Sequence, residues 1–168
     1  MTATTIIADR LWSIREVTVS LATAAPLLVR DVLDVTLSWQ GGGALPAEVS
    51  VSGLKRGNLR TGGGSDRLQV VMASNGGGTG NALSIDSGAG DDWVTLAGAA
   101  GRSEAAVNLG AGNDYLAVSG MRSATILAGD GNDTVLAALD GQYRIDGGAG
   151  TDRLRLSVAS SDVVLAWQ

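Results

Sequence analysis

A short glycine–aspartate motif recurs five times between residues 61 and 155, and it constrains the fold more than any other feature of the sequence. Each copy fits x-G-x-G-x-D-x-U-x, in which U is a large aliphatic residue. The copies are TGGGSDRLQ (Thr61–Gln69), SGAGDDWVT (Ser87–Thr95), LGAGNDYLA (Leu109–Ala117), AGDGNDTVL (Ala128–Leu136) and GGAGTDRLR (Gly147–Arg155). A chain that repeats one unit at intervals of about 20 residues builds a repeat architecture, in which each unit buries its apolar face against its neighbours.

Apolar residues flank every copy at fixed positions. The aliphatic residues two places after the aspartate are Leu68, Val94, Leu116, Val135 and Leu154, and those three places before the first motif glycine are Leu59, Ile85, Val107, Ile126 and Ile145. Each unit therefore reads as strand, turn, strand. No segment has a sustained apolar period of 3.6, and only Ile6–Val17 admits one or two helical turns. We expect an all-β chain folded as a right-handed parallel β-solenoid with its glycine–aspartate turns along one edge.

The spacing of the motif aspartates predicts where the coils differ in length. Asp66, Asp92, Asp114, Asp133 and Asp152 are 26, 22, 19 and 19 residues apart. The interval of 22 predicts an extra loop within Ala97–Glu104. The interval of 26 contains SNGGGTGN (Ser74–Asn81), which we expect on the edge opposite the turns.

The motif resembles the nonapeptide GGxGxDxUx of the RTX, or hemolysin-type, calcium-binding proteins, most closely in GAGNDYL and GDGNDTV. The resemblance covers 61–155 and implies a parallel β-roll with calcium in its turns. The chain departs from the family in carrying one motif per coil, so that only one edge has the turn. It also lacks the opening glycine of the family motif in four copies, where Thr61, Ser87, Leu109 and Ala128 stand instead.

Stacked turns of this kind bring rows of carbonyl oxygens and carboxylates together at strand spacing. The sequence has no Cys and no His, so any bound metal is held by oxygen, which favours a hard cation such as Ca²⁺. The predicted calcium ligands are Asp66, Gly88, Gly90, Asp92, Gly110, Gly112, Asp114, Gly129, Gly131, Asp133, Gly148, Gly150 and Asp152. We expect about three Ca²⁺ ions, in the gaps Asp92/Asp114, Asp114/Asp133 and Asp133/Asp152, and leave a fourth at Asp66/Asp92 open. Asp91, Asp130, Asn113 and Asn132 lie in the same turns, and we expect both asparagines to be turn-forming and solvated.

The charges divide the chain into two predicted regions. Residues 1–60 contain six cations and five anions, and residues 61–168 contain six cations and twelve anions. Residues 1–60 alternate like strands, for example from Val17 to Leu21 and from Leu33 to Trp39, and form a strand-rich segment of irregular first coils or a cap. Residues 61–168 form the RTX-like solenoid.

Composition excludes several functions. The net charge of −5 argues against nucleic acid and against an anionic membrane surface, and no apolar stretch is long enough to span a bilayer. Without His or Cys there is no Ser-His-Asp triad and no thiolate nucleophile. We expect a calcium-dependent structural module and not an enzyme. The resemblance implies that it is secreted or displayed on the cell surface by type I export without a cleaved N-terminal signal.

Two other functions stay open. One is a carbohydrate-binding module on a cell surface, matrix or virion, with Trp12, Trp39, Trp93 and Trp167 stacking on sugars or serving as core. For that module, Arg144, Arg153 and Arg155 beside Tyr143 form either a patch for an acidic polysaccharide or a surface salt-bridge set. The other is a polysaccharide lyase or epimerase of the β-helix type.

The inward series Val107, Ile126 and Ile145 steps by 19 residues and reaches Val164 next. This predicts a last coil that ends in the apolar strand Val163–Trp167. Either that end pairs with another copy, which gives a homo-oligomer or filament by end-to-end stacking, or Trp167 folds over and caps it.

Overall fold

The computed structural model describes residues 4–7, 16–21, 26–32, 34–39, 46–74 and 80–158. All regular structure in these residues is β-structure, and they contain no helix that could span a membrane. In chain order the strands are β1 (Thr4–Ile7), β2 (Glu16–Leu21), β3 (Leu27–Arg30), β4 (Asp34–Trp39), β5 (Glu48–Leu54), β6 (Arg56–Arg60), β7 (Arg67–Met72), β8 (Asn81–Asp86), β9 (Trp93–Ala97), β10 (Ser103–Ala111), β11 (Tyr115–Ser119), β12 (Met121–Asp130), β13 (Thr134–Leu139), β14 (Gln142–Asp146) and β15 (Arg153–Val158).

The strands alternate between two sheets along the chain. The first sheet has the order β1-β3-β5-β7-β9-β11-β13-β15, and the second has the order β14-β12-β10-β8-β6-β4-β2. Every neighbouring pair is parallel. Each coil therefore contributes one strand to each sheet, and the predicted parallel β-solenoid is confirmed.

The core lies between the two sheets and is built from alternate residues of each strand. In β7 the side chains of Leu68, Val70 and Met72 are buried, while their neighbours face outwards. The pairing register places Leu68 opposite Val94, and each following coil adds the next residue of the predicted series. Residues of equivalent position thus form continuous apolar columns along the solenoid axis, which is how a coil with little core of its own is stabilised.

The strands that precede residue 60 belong to the same two sheets. β4 pairs with β6 and β5 with β7 in continuous ladders. The predicted strand from Val17 to Leu21 is β2, and Val35 and Leu37 in β4 are buried as their alternation predicts. Residues 8–15, which hold most of the predicted helical turn and Trp12, lie outside the described residues.

All five glycine–aspartate turns lie on one edge, since each follows an even-numbered strand and precedes an odd-numbered one. The variation in coil length lies on the opposite edge. The extra loop predicted within Ala97–Glu104 is confirmed at residues 98–102. Ser74 and Asn81 also lie on that edge, although residues 75–79 between them are outside the description. The predicted terminal strand Val163–Trp167 lies outside the described residues as well.

Two columns of glycine explain why the motif requires glycine at its second and fourth positions. All the glycines at these positions have positive φ, and they stack directly on one another. At Gly110, where φ is 104°, a Cβ atom would overlap the carbonyl oxygen of Gly88 in the preceding coil. The turn can therefore repeat at strand spacing only if both positions lack a side chain.

We predict that Gly110→Ala lowers the free energy of unfolding by more than about 4 kcal/mol, because the turn must both leave its positive φ and move away from Gly88. Gly101 is a matched control, because its φ is 71° and a Cβ atom there would have nothing within 4 Å. Gly101→Ala should cost only about 1–2 kcal/mol. Chemical denaturation measures both, and equal losses would show that stacking of the turns is not the constraint.

Candidate functional site

The motif aspartates form one continuous hydrogen-bonded ladder along the turn edge. The Oδ1 atom of each aspartate accepts a hydrogen bond from a main-chain amide of the preceding coil. The five donor–acceptor pairs are Ala47 N to Asp66 Oδ1 (2.6 Å), Asp66 N to Asp92 Oδ1 (2.8 Å), Asp92 N to Asp114 Oδ1 (2.7 Å), Asp114 N to Asp133 Oδ1 (2.8 Å) and Asp133 N to Asp152 Oδ1 (3.0 Å). The far-edge loop in the 26-residue interval does not disturb the ladder, because Asp66 and Asp92 are joined as the others are.

The second carboxylate oxygen of these aspartates has no partner. Asp66, Asp92, Asp114 and Asp133 are at most 2% exposed, and the Oδ2 atom of each is buried without a hydrogen bond. Asp152, in the last described coil, is half-buried. Four successive buried oxygens without a donor are unfavourable when the carboxylates are ionised, unless a proton or a cation joins them.

Burial controls the ionisation of this ladder. It raises the pKa of Asp92 to about 7, and the charges of Asp66 and Asp114 add to this rise, while the hydrogen bond from the Asp66 amide opposes it. It also raises the pKa of Asp114 to about 6, and the charges of Asp133 and Asp91 add to this. The pKa values of Asp66 and Asp133 are raised by burial as well.

The turn carbonyls fall into two groups. The carbonyls of second-position glycines are occupied between coils, as in the bonds from Ala89 N to Gly62 O and from Ala111 N to Gly88 O. The fourth-position glycines differ, because no described residue donates a hydrogen bond to the carbonyl oxygens of Gly64, Gly90, Gly112 and Gly131. These oxygens face the stacked glycine of the next coil. Each such turn therefore holds one free carbonyl oxygen two residues before an aspartate with one free carboxylate oxygen.

An oxygen-only set of this kind fits Ca²⁺. The predicted ligands Asp92, Asp114 and Asp133 stand in one column, Asp66 extends it by one coil, and Asp152 ends it in the described part. The predicted glycines form the two columns beside it, namely Gly88, Gly110, Gly129 and Gly148 in one and Gly90, Gly112, Gly131 and Gly150 in the other. Within the described ranges no three acidic side chains converge on one point, so each gap would combine two carboxylates with main-chain oxygens.

The burial of the first motif position explains why this chain does not require glycine there. Thr61, Ser87, Leu109 and Ala128 are fully buried there, so this position faces the interior and accepts a side chain. The Thr61 hydroxyl donates to the carbonyl of Ser87 at 3.1 Å, which joins the two coils. In the fifth copy, a Cβ atom on Gly147 would stand 2.5 Å from Asp152 Oδ2.

A second ladder runs along the outside of the same edge. In each bond a main-chain amide donates to a side-chain oxygen of the preceding coil. The pairs are Asn113 N to Asp91 Oδ1 (2.7 Å), Asn132 N to Asn113 Oδ1 (2.9 Å) and Thr151 N to Asn132 Oδ1 (2.9 Å). These residues are exposed, which confirms the expectation that Asn113 and Asn132 are turn-forming and solvated. In the sequence, this ladder is indicated by the polar residue that stands directly before each motif aspartate.

The structure does not bring together the predicted basic patch. Arg153 and Arg155 lie on the outer face of the first sheet, whereas Arg144 lies on that of the second. Tyr143 is only 5% exposed, and its hydroxyl donates towards the Ala138 carbonyl and Asp140, at 3.0 Å from each. The prediction of that cluster was wrong, because residues 143 and 153 belong to opposite sheets of the solenoid. Trp93 is 43% exposed and stands apart from the core.

We predict that the chelated protein loses stability as the pH rises. The folded-state pKa values of Asp92 (about 7) and Asp114 (about 6) lie above the ordinary aspartate value of 3.8. The contribution of these two groups to stability is therefore complete below about pH 4 and is lost as the pH rises through about 6 and 7. The melting temperature in chelator should fall by about 5 °C from pH 5 to pH 8. Asp92→Asn should reduce this fall, while Asp130→Asn, an exposed change of equal charge, should not. A melting temperature that is constant or rises over this range contradicts the prediction.

No family model, no curated protein and no solved structure matches the chain. The site is therefore defined by its geometry, which is a column of buried carboxylates beside two columns of glycine.

Proposed function

We propose that this chain is a calcium-stabilised structural module of the secreted or cell-surface class. The observation that carries the proposal is the column of four buried carboxylate oxygens without a hydrogen-bond partner, Oδ2 of Asp66, Asp92, Asp114 and Asp133. A scaffold that needed only the fold would gain nothing from burying these oxygens, because the Oδ1 atoms alone complete the ladder. The resemblance of the turns to the RTX motif supports Ca²⁺ as the cation.

The residues divide the work at each proposed ion. Two aspartates of neighbouring coils supply charge, and the free carbonyl oxygens of fourth-position glycines such as Gly90 and Gly112 supply neutral ligands. When bound, the ion would supply positive charge between adjacent carboxylates and so offset their mutual repulsion. We propose three ions between Asp92 and Asp152 and a fourth between Asp66 and Asp92, where the same ladder continues.

Calcium dependence suits a protein that folds outside the cell. Extracellular modules bind Ca²⁺ at about 10⁻⁴–10⁻³ M, well above the free concentration in a cytoplasm. Because ion binding contributes directly to folding free energy, the solenoid would remain weakly folded inside the cell and become stable outside. This is consistent with export of an unfolded chain through a type I channel, as the resemblance implies.

We predict that the folded chain binds three or four Ca²⁺ ions and that chelation lowers its melting temperature. Each ion should add about 1.4 kcal/mol of stability when free Ca²⁺ is about ten times Kd. Calorimetric titration counts the ions, and circular dichroism with and without chelator follows the strand signal and the melting temperature. No calcium uptake, together with an unchanged melting temperature, contradicts the proposal.

Three variants separate charge from hydrogen bonding in this experiment. Asp114→Asn keeps an Oδ1 acceptor for the Asp92 amide but removes the charge between two gaps, so it should weaken two ions. Asp66→Asn borders one gap and should weaken at most one. Asp114→Ala should in addition lower stability in chelator by about 1–3 kcal/mol, because the Asp92 amide loses its acceptor. Equal losses of calcium from Asp66→Asn and Asp114→Asn would show that the ions do not lie between stacked turns.

The proposal includes end-to-end association. Among the described residues, β15 pairs only with β13 and β14 only with β12. Leu154 and Leu156 of β15 are partly buried and pack against the core from one side. A coil of a second copy could pair with these edges in parallel and extend both sheets.

We predict that the full chain forms concentration-dependent oligomers in calcium, measured by light scattering. Chelation should reverse the association, since the terminal coils lose their rigid turns. A chain that ends at Ser161 tests the alternative that Trp167 caps the last coil, because removing a cap should increase association. A full-length chain that stays monomeric at high concentration in calcium contradicts end-to-end stacking.

A further inference from the structure

The arginines on the two outer faces of the solenoid differ in whether they form ion pairs. On the second sheet, arginines form ion pairs with acidic residues of neighbouring coils. The pairs are Arg56–Asp34, with Nε and Oδ1 2.8 Å apart, Arg60–Asp86 at 3.9 Å, and Arg122–Glu104. The charges of this face are largely balanced within the molecule.

The part of the first sheet from β7 to β15 carries arginines without such balance. Its acidic neighbour is Glu48 in β5, which stands opposite Arg67 in the register and forms no ion pair with it. We call the outward side chains of β7, β9, β11, β13 and β15 the arginine face. They include Arg67, Arg153 and Arg155 and no acidic residue. No described residue forms an ion pair with these three arginines. In a chain of net charge −5, this face groups three such cations, whereas Arg144 on the second sheet is a single exposed one.

Aromatic rings stand in line with these cations. The pairing register places Arg67, Trp93, Tyr115, Thr134 and Arg153 in one column along the solenoid axis. The rings of Trp93 and Tyr115 stack with centroids 4.0 Å apart, and the Arg67 guanidinium lies 5.4 Å from the Trp93 centroid. Thr134 is small, so Tyr115 and Arg153 are separated by two strand spacings, about 9.6 Å, with only the threonine between them.

A shallow groove of about 470 Å³ runs beside this column across the strands. Its outward lining is small or apolar and includes Thr95, Ala97, Ala117, Leu136 and Ala138, with Arg155 at one end. The strands β9, β11 and β13 are paired on both sides, so the groove offers no free main-chain edge to a peptide. A ligand here must bind through side chains and must extend along the axis.

We propose that the arginine face binds an acidic polysaccharide that carries carboxylate groups. A sugar ring lies over Thr134 and contacts the free face of Tyr115 through its C–H bonds, while Arg153 and Arg155 bind the carboxylates of this unit and the next. Arg67 lies about 19 Å from Arg153, across four strand spacings, and contacts a carboxylate further along the polymer. The proposal goes beyond the structural role. Its residues are not among the proposed calcium ligands, although Arg67, Tyr115 and Arg153 each directly follow a motif aspartate.

The chemistry of the face favours this ligand over other anionic chains. A neutral sugar would leave three arginines without a partner. A nucleic acid would meet the exposed Asp91 and Asp130 on the adjoining turn edge, and few cations are present to offset its dense charge. Regularly spaced carboxylates on a narrow chain match widely spaced guanidinium groups on a flat sheet.

Calorimetry with a short, soluble oligogalacturonate tests the proposal at constant low calcium, where the oligomer does not gel. We expect saturable binding that weakens with added salt. Arg153→Gln with Arg155→Gln should raise Kd at least about tenfold, and Tyr115→Ala should raise it about threefold to tenfold. Asp114→Asn should bind normally once its fold is confirmed by circular dichroism, which separates this proposal from the calcium proposal.

Matched changes lie away from the face. Arg144→Gln with Lys55→Gln removes the same charge, and Leu127→Ala shortens an exposed side chain of the second sheet; both should leave Kd unchanged. The proposal is overturned if the oligogalacturonate does not bind or if the control pair weakens binding equally. It is also overturned if Arg153→Gln with Arg155→Gln leaves glycan binding intact while abolishing self-association in light scattering. That last result would make the face a contact between copies.

Discussion

The hydrogen bond that each motif aspartate accepts from a main-chain amide of the preceding coil is the interaction on which the rest of this structure depends. At the turn edge the chain passes from one sheet to the other, and there the amide of residue 66, 92, 114 or 133 faces the next coil without a strand partner. The Oδ1 atom of the next aspartate supplies the missing acceptor at 2.7–3.0 Å. Because one aspartate supplies both the donor amide and the acceptor carboxylate, the same bond can be repeated from each coil to the next. The stacked glycines then hold the coils close enough for it to form.

The same bond creates the electrostatic difficulty that gives the turn its chemistry. A carboxylate has two oxygens, and the ladder uses one. The other is buried beside the carboxylates of neighbouring coils, which is why the pKa of Asp92 rises to about 7. Only a proton or a cation can neutralise such a column, and the proposed ion would compete with protons for the same oxygens. Stability and its pH response at this edge therefore depend on one column of atoms, and the proposed ion binding would depend on the same column.

The solenoid and its turn edge could be predicted from the sequence because the motif tolerates no other residue at the positions where neighbouring coils touch. The positions of Asp114 and Asp133, and the glycines before them, have no freedom, so their spacing revealed the solenoid and its turn edge. The opposite edge tolerates insertions, and the intervals revealed those too. Sequence reasoning failed for Arg144 and Arg153, since residues about nine apart in a coil can lie on opposite sheets. It also missed that Oδ1 and Oδ2 of one aspartate differ, because that requires knowing which side of the turn faces the core.

The division of labour between the faces follows from this geometry. Side chains on the turn edge are committed to holding the coils together, and the ion pairs of the second sheet, such as Arg56–Asp34, link neighbouring coils in a similar way. The outward positions of the first sheet contribute less to this, since its strands are held mainly by main-chain bonds and by the core beneath them. The stacked rings of Trp93 and Tyr115 add a contact between two coils, so these residues and the arginines in line with them can differ from coil to coil at small cost to the fold. A surface that contributes little to stability, and that still concentrates aromatic rings and unpaired cations in one line, is where recognition by a repeat scaffold is expected.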